Sequence, residues 1–358
     1  MSAEQPRQDK PRVCVLFGGR SGEHEVSIRS AISVTSALDH DAYDVVTVGI
    51  TKEGEWAPDA APVDFHDAWP GACDLTAALG FLRDCDIVFP VLHGPYGEDG
   101  TVQGLLEMLD LPYVGAGVLG SALGMDKAVA KQLFARHGLP VVPHVEMLRS
   151  EWAADPHGTV EALVERIGLP CFVKPANLGS SVGITKAHDA DELGEGLAVA
   201  AEYDRKILIE KAIEAREIEC GLLGNDAPAA SVCGEIVPCR EWYDYEAKYV
   251  DERSALLIPA PIEPHEQRET QRIAVEAFRA LDCCGMARAD FLLCKRTGKI
   301  WLNELNTIPG FTTISMYPKL WEASGLPYPD LLDRLIELGF ERHRKAPRRL
   351  KAHAAEER

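Results

Sequence analysis

The segment Arg288-Ala-Asp-Phe-Leu-Leu-Cys-Lys-Arg-Thr-Gly-Lys-Ile-Trp-Leu-Asn-Glu-Leu-Asn306 constrains the fold more than any other part of the chain. It reads as two β-strands around a Lys-Arg-Thr-Gly turn, with acids where a fully buried hairpin would exclude them. Side chains alternate across a strand, so Arg288 and Asp290 share one face, and Glu304 and Asn306 share one face. An odd number of loop residues makes those faces coincide. Asp290, Glu304 and Asn306 then converge as an oxygen-rich cluster beside Arg288. Mg²⁺ takes oxygen ligands, typically one or two carboxylates completed by water and substrate phosphates. Phe291, Leu293, Trp301 and Leu305 fall on the opposite parity and are expected to form the buried face. A solvated hairpin with incidental acids is the alternative at this level.

A chain of 358 residues is too long for one core, because single cores stop growing near ~250–300 residues. Two or three are expected. A net charge of −19 argues against a nucleic-acid or anionic membrane surface as partner. The acidity is uneven: from Glu341 to Arg358 seven Lys/Arg face three acids, a net of +4, leaving −23 for the first 340 residues. That basic end reads as frayed and solvated. The ten cysteines form no C-x-x-C pair, and the adjacent Cys283 and Cys284 suit neither zinc nor a simple disulfide. Most lie in apolar runs, where a thiol behaves as a small hydrophobe. The N-terminus lacks an apolar signal core and no run reaches ~18 apolar residues, so a cytoplasmic protein is expected.

Arg12–Phe17 reads as a buried strand ending in Gly18-Gly19-Arg20-Ser21-Gly22, followed by a helix and a strand at Val45–Ile50. Asp86–Val91 is a second apolar strand, running into His93-Gly-Pro-Tyr-Gly-Glu-Asp-Gly100 and a helix. Strand, glycine loop and helix in alternation predict a Rossmann-like parallel α/β domain over 12–125, with ligand loops at strand C-terminal ends. Residues 126–214 and 215–345 read as two further mixed units, including strands at Val141–Met147, Cys171–Lys174 and Lys206–Glu210, and 346–358 as a basic tail. Gly115-Ala-Gly117-Val-Leu-Gly120 matches a dinucleotide fingerprint. No acid stands about ~20 residues on to bind a ribose, and Pro140 occupies that place, so nicotinamide binding is declined.

Other segments point to phosphate. Lys174-Pro-Ala-Asn-Leu-Gly179-Ser180-Ser181-Val-Gly183 is a strand ending in lysine, then a small-residue loop whose amides and hydroxyls can approach oxyanions. The lysine precedes the glycines, so this is not a Walker A loop. Glu210-Lys211 follows an apolar strand and offers an acceptor for an adenine amino group and a donor for a ring nitrogen; a surface ion pair is the alternative. Lys127 opens a helix whose dipole favours phosphate. Tyr243-Asp-Tyr-Glu-Ala-Lys-Tyr249 is aromatic and charged in a polar loop. Segments 176–182 and 239–255 are expected to close over a bound nucleotide.

Taken in order, these motifs carry a resemblance. Gly18-Gly-Arg-Ser-Gly-Glu23-His-Glu-Val-Ser27, His93 to Gly100, Met125-Asp-Lys127, Lys174 to Gly183, Glu210-Lys211, Tyr243 to Tyr249, Arg288-x-Asp290 and Asn303-Glu-Leu-Asn-Thr-x-Pro-Gly310 follow one another. The chain resembles the D-alanine–D-alanine ligase family of the ATP-grasp superfamily over about 12–340. The resemblance implies a multidomain α/β and α+β protein, its N-terminal domain followed by an ATP-grasp fold in which two antiparallel sheets clamp ATP. It also implies two Mg²⁺ (or Mn²⁺) ions on Asp290, Glu304 and Asn306. Lys127, Lys174 and Lys248, with Ser181, would meet phosphates; Glu210, Lys211, Ile213 and Glu217 would hold the adenosine. Glu23 would pair with the ammonium of the first D-alanine, with Ser180 and Tyr249 tying a lid to that site. Arg288 and the Gly310 N–H would face the oxyanion. Ser315, the Met316 N–H and His93 would line the second D-alanine subsite. A homodimer is the family expectation. Ligases that join D-alanine to D-lactate or D-serine share most of these motifs, and a non-catalytic nucleotide-binding protein is the rival of another class.

Overall fold

The computed structural model describes residues 10–63, 69–179, 182–237 and 255–345. Its strands form three sheets. The first contains β1 (Arg12–Gly18), β2 (Asp44–Ile50), β3 (Trp56–Pro58) and β4 (Ile87–Pro90) in the order β3-β2-β1-β4. β1 runs parallel to β2 and β4, and β3 is antiparallel to β2. Val13 to Phe17 are fully buried, as expected of a parallel strand covered on both faces. The loops after β1 and β4, which carry Glu23 and His93, both leave from strand C-terminal ends.

The second sheet contains β5 (His144–Leu148), β6 (Cys171–Pro175), β7 (Thr185–Ala187) and β8 (Lys206–Lys211), in the order β5-β8-β6-β7. The third contains β9 (Ala215–Gly224), β10 (Ala229–Val237), β11 (Ala255–Leu257), β12 (Gly285–Cys294) and β13 (Ile300–Asn306), in the order β11-β10-β9-β12-β13. All pairings in both are antiparallel. The strand expected at Val141 begins at His144, because Pro140 and Pro143 have no N–H to give a ladder. The Pro143 carbonyl instead accepts from Lys211 N.

The hairpin reaches the expected convergence by another route. Leu293 pairs with Ile300, so residues 294–299 form an even loop that by itself would set Asp290 opposite Asn303. A bulge intervenes: Phe291 faces Leu302, Asp290 faces Glu304 and Arg288 faces Asn306, leaving Asn303 as the extra residue. The bulge also reverses inside and outside along β13. Ile300 and Leu302 are buried before it and Leu305 after it. Trp301 therefore does not share the buried face with Leu305; it is half-buried, with the Lys299 ammonium 3.6 Å from its ring centroid.

The C-terminal helices pack back on the first sheet. Phe311, Tyr317, Leu331, Leu332 and Leu335 share one core with Phe17, Phe89 and Val91, and the Phe89 and Phe311 rings meet edge to face at 5.7 Å. Of the basic end expected to be frayed and solvated, residues 341–345 are described and 346–358 lie outside the described residues. The helix Tyr328–Lys345 includes Arg342, whose guanidinium lies 3.9 Å from the Tyr113 ring and donates to Glu107 and to the Tyr113 hydroxyl. Among the described residues, Glu107 and Tyr113 thus hold the Arg342 side chain.

The glycines of the declined fingerprint stand at packing contacts. A Cβ on Gly120 would meet the Asp282 carbonyl oxygen at 2.9 Å. A Cβ on Gly285, itself at φ +72°, would meet the Gly115 backbone at 3.0 Å. Gly285→Ala therefore combines a left-handed backbone with a backbone clash, and should cost roughly 2–5 kcal/mol. A lowered midpoint in urea is the expected reading, and an unchanged midpoint would show that the two segments are not so tightly apposed.

Candidate active site

The three sheets meet at a cleft whose walls include every sequence-assigned site residue among the described ones: Glu23, His93, Lys127, Lys174, Glu210, Lys211, Ile213, Glu217, Arg288, Asp290, Glu304, Asn306, Gly310, Ser315 and Met316. Ser180, Ser181, Lys248 and Tyr249 lie outside the described residues.

Glu23 stands at the head of the helix His24–Ala37, yet its side chain does not cap that helix. It reaches across to two glycines of other loops. A Cβ on Gly179 would lie 2.5 Å from Glu23 Oε2, and one on Gly94 3.0 Å from it. Those glycines leave room for a carboxylate between the first and second sheets.

On the hairpin, Arg288 grips Asp290 with two bonds, Nε to Oδ1 and NH2 to Oδ2, each 2.7 Å. Its Nε also lies 3.0 Å from Glu219 Oε2 on the neighbouring strand. Asn306 Nδ2 donates to Asp290 Oδ2 at 2.9 Å. Glu304 faces the Lys127 ammonium at 3.5 Å, and Lys127 also donates to the Leu178 carbonyl at 2.6 Å. Among the described residues no three of His, Cys, Asp and Glu form a metal cluster by themselves. Two carboxylates and an amide oxygen nevertheless suit a hard cation that completes its shell with phosphate or water oxygens, as Mg²⁺ does. The donor set fits.

At the far end, Glu210 is almost fully buried between two lysines, with Lys131 Nζ 2.7 Å from Oε1 and Lys174 Nζ 2.5 Å from Oε2. Burial alone would raise its carboxyl, but the two ammoniums pull it down to about 2. Burial opposes the charge on Lys174 as well, and Glu210 and Glu304 more than offset it. Lys174 thus pairs with Glu210 in this conformation. Lys211, Ile213 and Glu217 line the same end, Lys211 exposed.

The loop after β13 carries the last group. A Cβ on Gly310 would meet Ser315 Oγ at 2.7 Å, so the serine occupies the space a side chain would take. Ser315 precedes the helix Met316–Ala323, makes no cap with its side chain, and accepts from Thr312 N at 3.0 Å. Ser315 and Met316, at the start of that helix, line the cleft, and a helix start favours an anion. His93 lines the cleft but both ring nitrogens are engaged, by the Ile308 carbonyl at 3.1 Å and Ser30 Oγ at 3.1 Å. Burial lowers its pKa, so the ring is neutral near pH 7.

Three charged residues of the site carried no role in the sequence reading. Glu98 lies inside the quoted His93 to Gly100 motif. It accepts from Gly94 N at 2.8 Å and Ile308 N at 3.0 Å, joining the β4 loop to the loop after β13. Glu219 alternates with Glu217 along β9, a pattern that placed both on one face. Lys131 follows Lys127 by one helical turn, the spacing that sets two side chains on one face.

Residues 12–116 match the family model described as D-ala D-ala ligase N-terminus, and residues 133–337 match that described as D-ala D-ala ligase C-terminus. The chain is 52% identical to the D-alanine–D-alanine ligase of a Thermoanaerobacter species, covering 94% of this chain and 98% of that protein. It is 49% identical to the corresponding ligase of Heliobacterium modesticaldum, covering 95% and 97%. The fold is similar to the D-alanine–D-alanine ligase structure from Coxiella burnetii, with TM-score 0.80, 37% identity and coverage of 94% and 95%. It is equally similar, at TM-score 0.80 with 33% identity and coverage of 92% and 99%, to a D-Ala:D-Ser ligase from Enterococcus faecalis.

Burial, then the nearby Glu23, pushes the Glu98 carboxyl up to about 8. The folded protein then holds a proton that the unfolded chain releases near its ordinary value. The stability this adds is complete below about 4.5 and is lost as pH rises through about 8. Thermal melts at pH 5 and pH 8 should show the unmodified protein losing more than Glu98→Gln over that interval. Parallel profiles would remove the shift.

Proposed function

The chain belongs to the D-alanine–D-alanine ligase family, and on that premise we propose that it joins two D-alanines into D-alanyl-D-alanine, using ATP, for peptidoglycan precursor synthesis. One observation supports the reading: a single cleft brings together Glu23, the lysines Lys127 and Lys174, the oxygen donors Asp290, Glu304 and Asn306, and the Gly310 and Met316 backbone, the groups this reaction calls for. Membership implies ATP and small-molecule substrates. The two Mg²⁺ (or Mn²⁺) ions, the individual residue roles, the partition at 12–125, 126–214 and 215–345, a cytoplasmic location and a homodimer are parts of the proposal. Among the described residues no helix is long and apolar enough to cross a membrane.

In this mechanism Glu23 binds the ammonium of the first D-alanine and turns its carboxylate toward the γ-phosphate of ATP. Transfer of that phosphoryl group gives an acyl phosphate and ADP. Glu210, Lys211, Ile213 and Glu217 hold the adenosine; Lys127, Lys174, Lys248 and Ser181 meet the phosphates. Asp290, Glu304 and Asn306 would hold two Mg²⁺, which supply charge neutralisation at the phosphate oxygens. The second D-alanine binds with its carboxylate at Ser315 and Met316 N, and its neutral amine attacks the acyl carbonyl. Arg288 and Gly310 N stabilise the resulting oxyanion, one such donor being worth about 3–4 kcal/mol. Collapse expels phosphate, the attacking nitrogen gives up its extra proton to that phosphate or to water, and the dipeptide remains. His93, neutral and bonded to the Ile308 carbonyl, holds the backbone that leads to Gly310. Ser180 and Tyr249 close the lid over Glu23 and exclude water from the labile phosphate.

Ligation to D-serine is the second reading, supported by the likeness to the D-Ala:D-Ser ligase. Tyr249 argues for an amine nucleophile: a neutral phenol imposes no charge bias, whereas a protonated imidazole there would repel an ammonium and favour D-lactate.

Product masses from equal D-alanine, D-serine and D-lactate with ATP and Mg²⁺ at pH 7 should be dominated by D-alanyl-D-alanine; a majority of either other product overturns the substrate assignment. Asp290→Asn and Glu304→Gln keep shape and remove charge. Both should fold and lose about 10²-fold or more in turnover, and near-normal turnover at low Mg²⁺ would exclude them as metal ligands.

A further inference from the structure

Lys131 has no part in the mechanism above, yet only 1% of its side chain is exposed. A buried ammonium is costly unless its charge is paired and its protons find acceptors. Lys131 satisfies both conditions across two sheets. Its Nζ lies 2.7 Å from Glu210 Oε1, at the end of β8 in the second sheet. The same nitrogen donates to the Asn303 carbonyl at 2.7 Å, and Asn303 is the bulged residue of β13 in the third sheet.

Each contact bears on a different part of the site. At Glu210, Lys174 stands at Oε2 and Lys131 at Oε1, so two ammoniums hold the buried carboxylate between them. Glu210 also lines the cleft, as a charge-compensated carboxylate. An exocyclic amino group suits such a carboxylate as a donor. A purine with a carbonyl at the same position would set oxygen against oxygen. At Asn303, the carbonyl belongs to the residue whose insertion makes Glu304, rather than Asn303, oppose Asp290. Holding that carbonyl from the helix Lys127–Arg136 fixes the bulge.

We infer that Lys131 is a positioning residue for the nucleotide site: it holds the Glu210 carboxylate in place for the amino group of adenine and pins the Asn303 bulge that sets Glu304 opposite Asp290. The inference rests on the ATP reading and deepens it, because base choice and divalent-ion binding then depend on one side chain. A lysine that merely fills space would change stability and leave both properties alone.

Calorimetry on the full chain separates these cases without turnover. ADP and GDP are titrated without divalent ion, and ADP is titrated again with Mg²⁺. Lys131→Met keeps the length and removes the charge. The preference for ADP over GDP should fall about tenfold, the equivalent of one charge-assisted hydrogen bond. The Mg²⁺ enhancement of ADP binding should also fall about tenfold, as when an outer partner of a metal ligand is lost. Retention of either ratio in a folded variant overturns the inference. Should Lys131→Met fail to fold, Lys131→Met with Glu210→Gln removes both charges and is compared with Glu210→Gln alone. The Mg²⁺ enhancement should be about tenfold weaker in the double variant, and equality overturns the inference. Absence of ADP binding by the unmodified protein would instead overturn the ATP site itself, and this inference with it.

Discussion

Pairing of charges in a partly dry cleft is the constraint on which the rest of this structure depends. An unpaired carboxylate taken out of water costs several kcal/mol, so acids can be gathered only where cations answer them. Arg288 answers Asp290 and Glu219, Lys127 answers Glu304, and Lys131 and Lys174 answer Glu210. Several of these pairs join separate elements. Lys131 and Lys127 project from one helix toward β8 and β13, so electrostatics cross-links the two antiparallel sheets where they face each other. The same arrangement suits a polyanion that arrives with a divalent cation. In the proposed mechanism phosphates would meet the lysines and the cation would meet the acids.

The first sheet contributes to that cleft through backbone contacts as much as through Glu23. Glu98 accepts from Gly94 N and Ile308 N, His93 engages the Ile308 carbonyl, and Ser30 Oγ accepts from Phe311 N. The strand of backbone that bears Gly310 is thereby fixed from the N-terminal side, with Phe311 locked beneath it against Phe89. In the proposed mechanism Gly310 N is an oxyanion donor, and such a donor works only if its direction is set in advance. Here the direction comes from contacts made more than two hundred residues away in sequence.

Much of the site was legible along the chain because its chemistry is local. Glycine loops after apolar strands, Lys174 at a strand end and the acids of β12 and β13 each sit in a short segment, and ordered together they identify the family. Glu98, Glu219 and Lys131 were less legible. Each is a common residue type in an amphipathic setting, and its importance comes from burial and from partners far off in sequence.

The hairpin divides the two kinds of information. Alternation along each strand by itself determined that Arg288 and Asp290 share a face, as do Glu304 and Asn306, because the period of a strand is two. Whether the two pairs meet is a question of register, and the even loop 294–299 would have kept them apart. Only the tertiary structure decided it. A carbonyl on Asn303 finds a buried ammonium on a helix from another part of the chain, the bulge forms there, and the acids come to face each other.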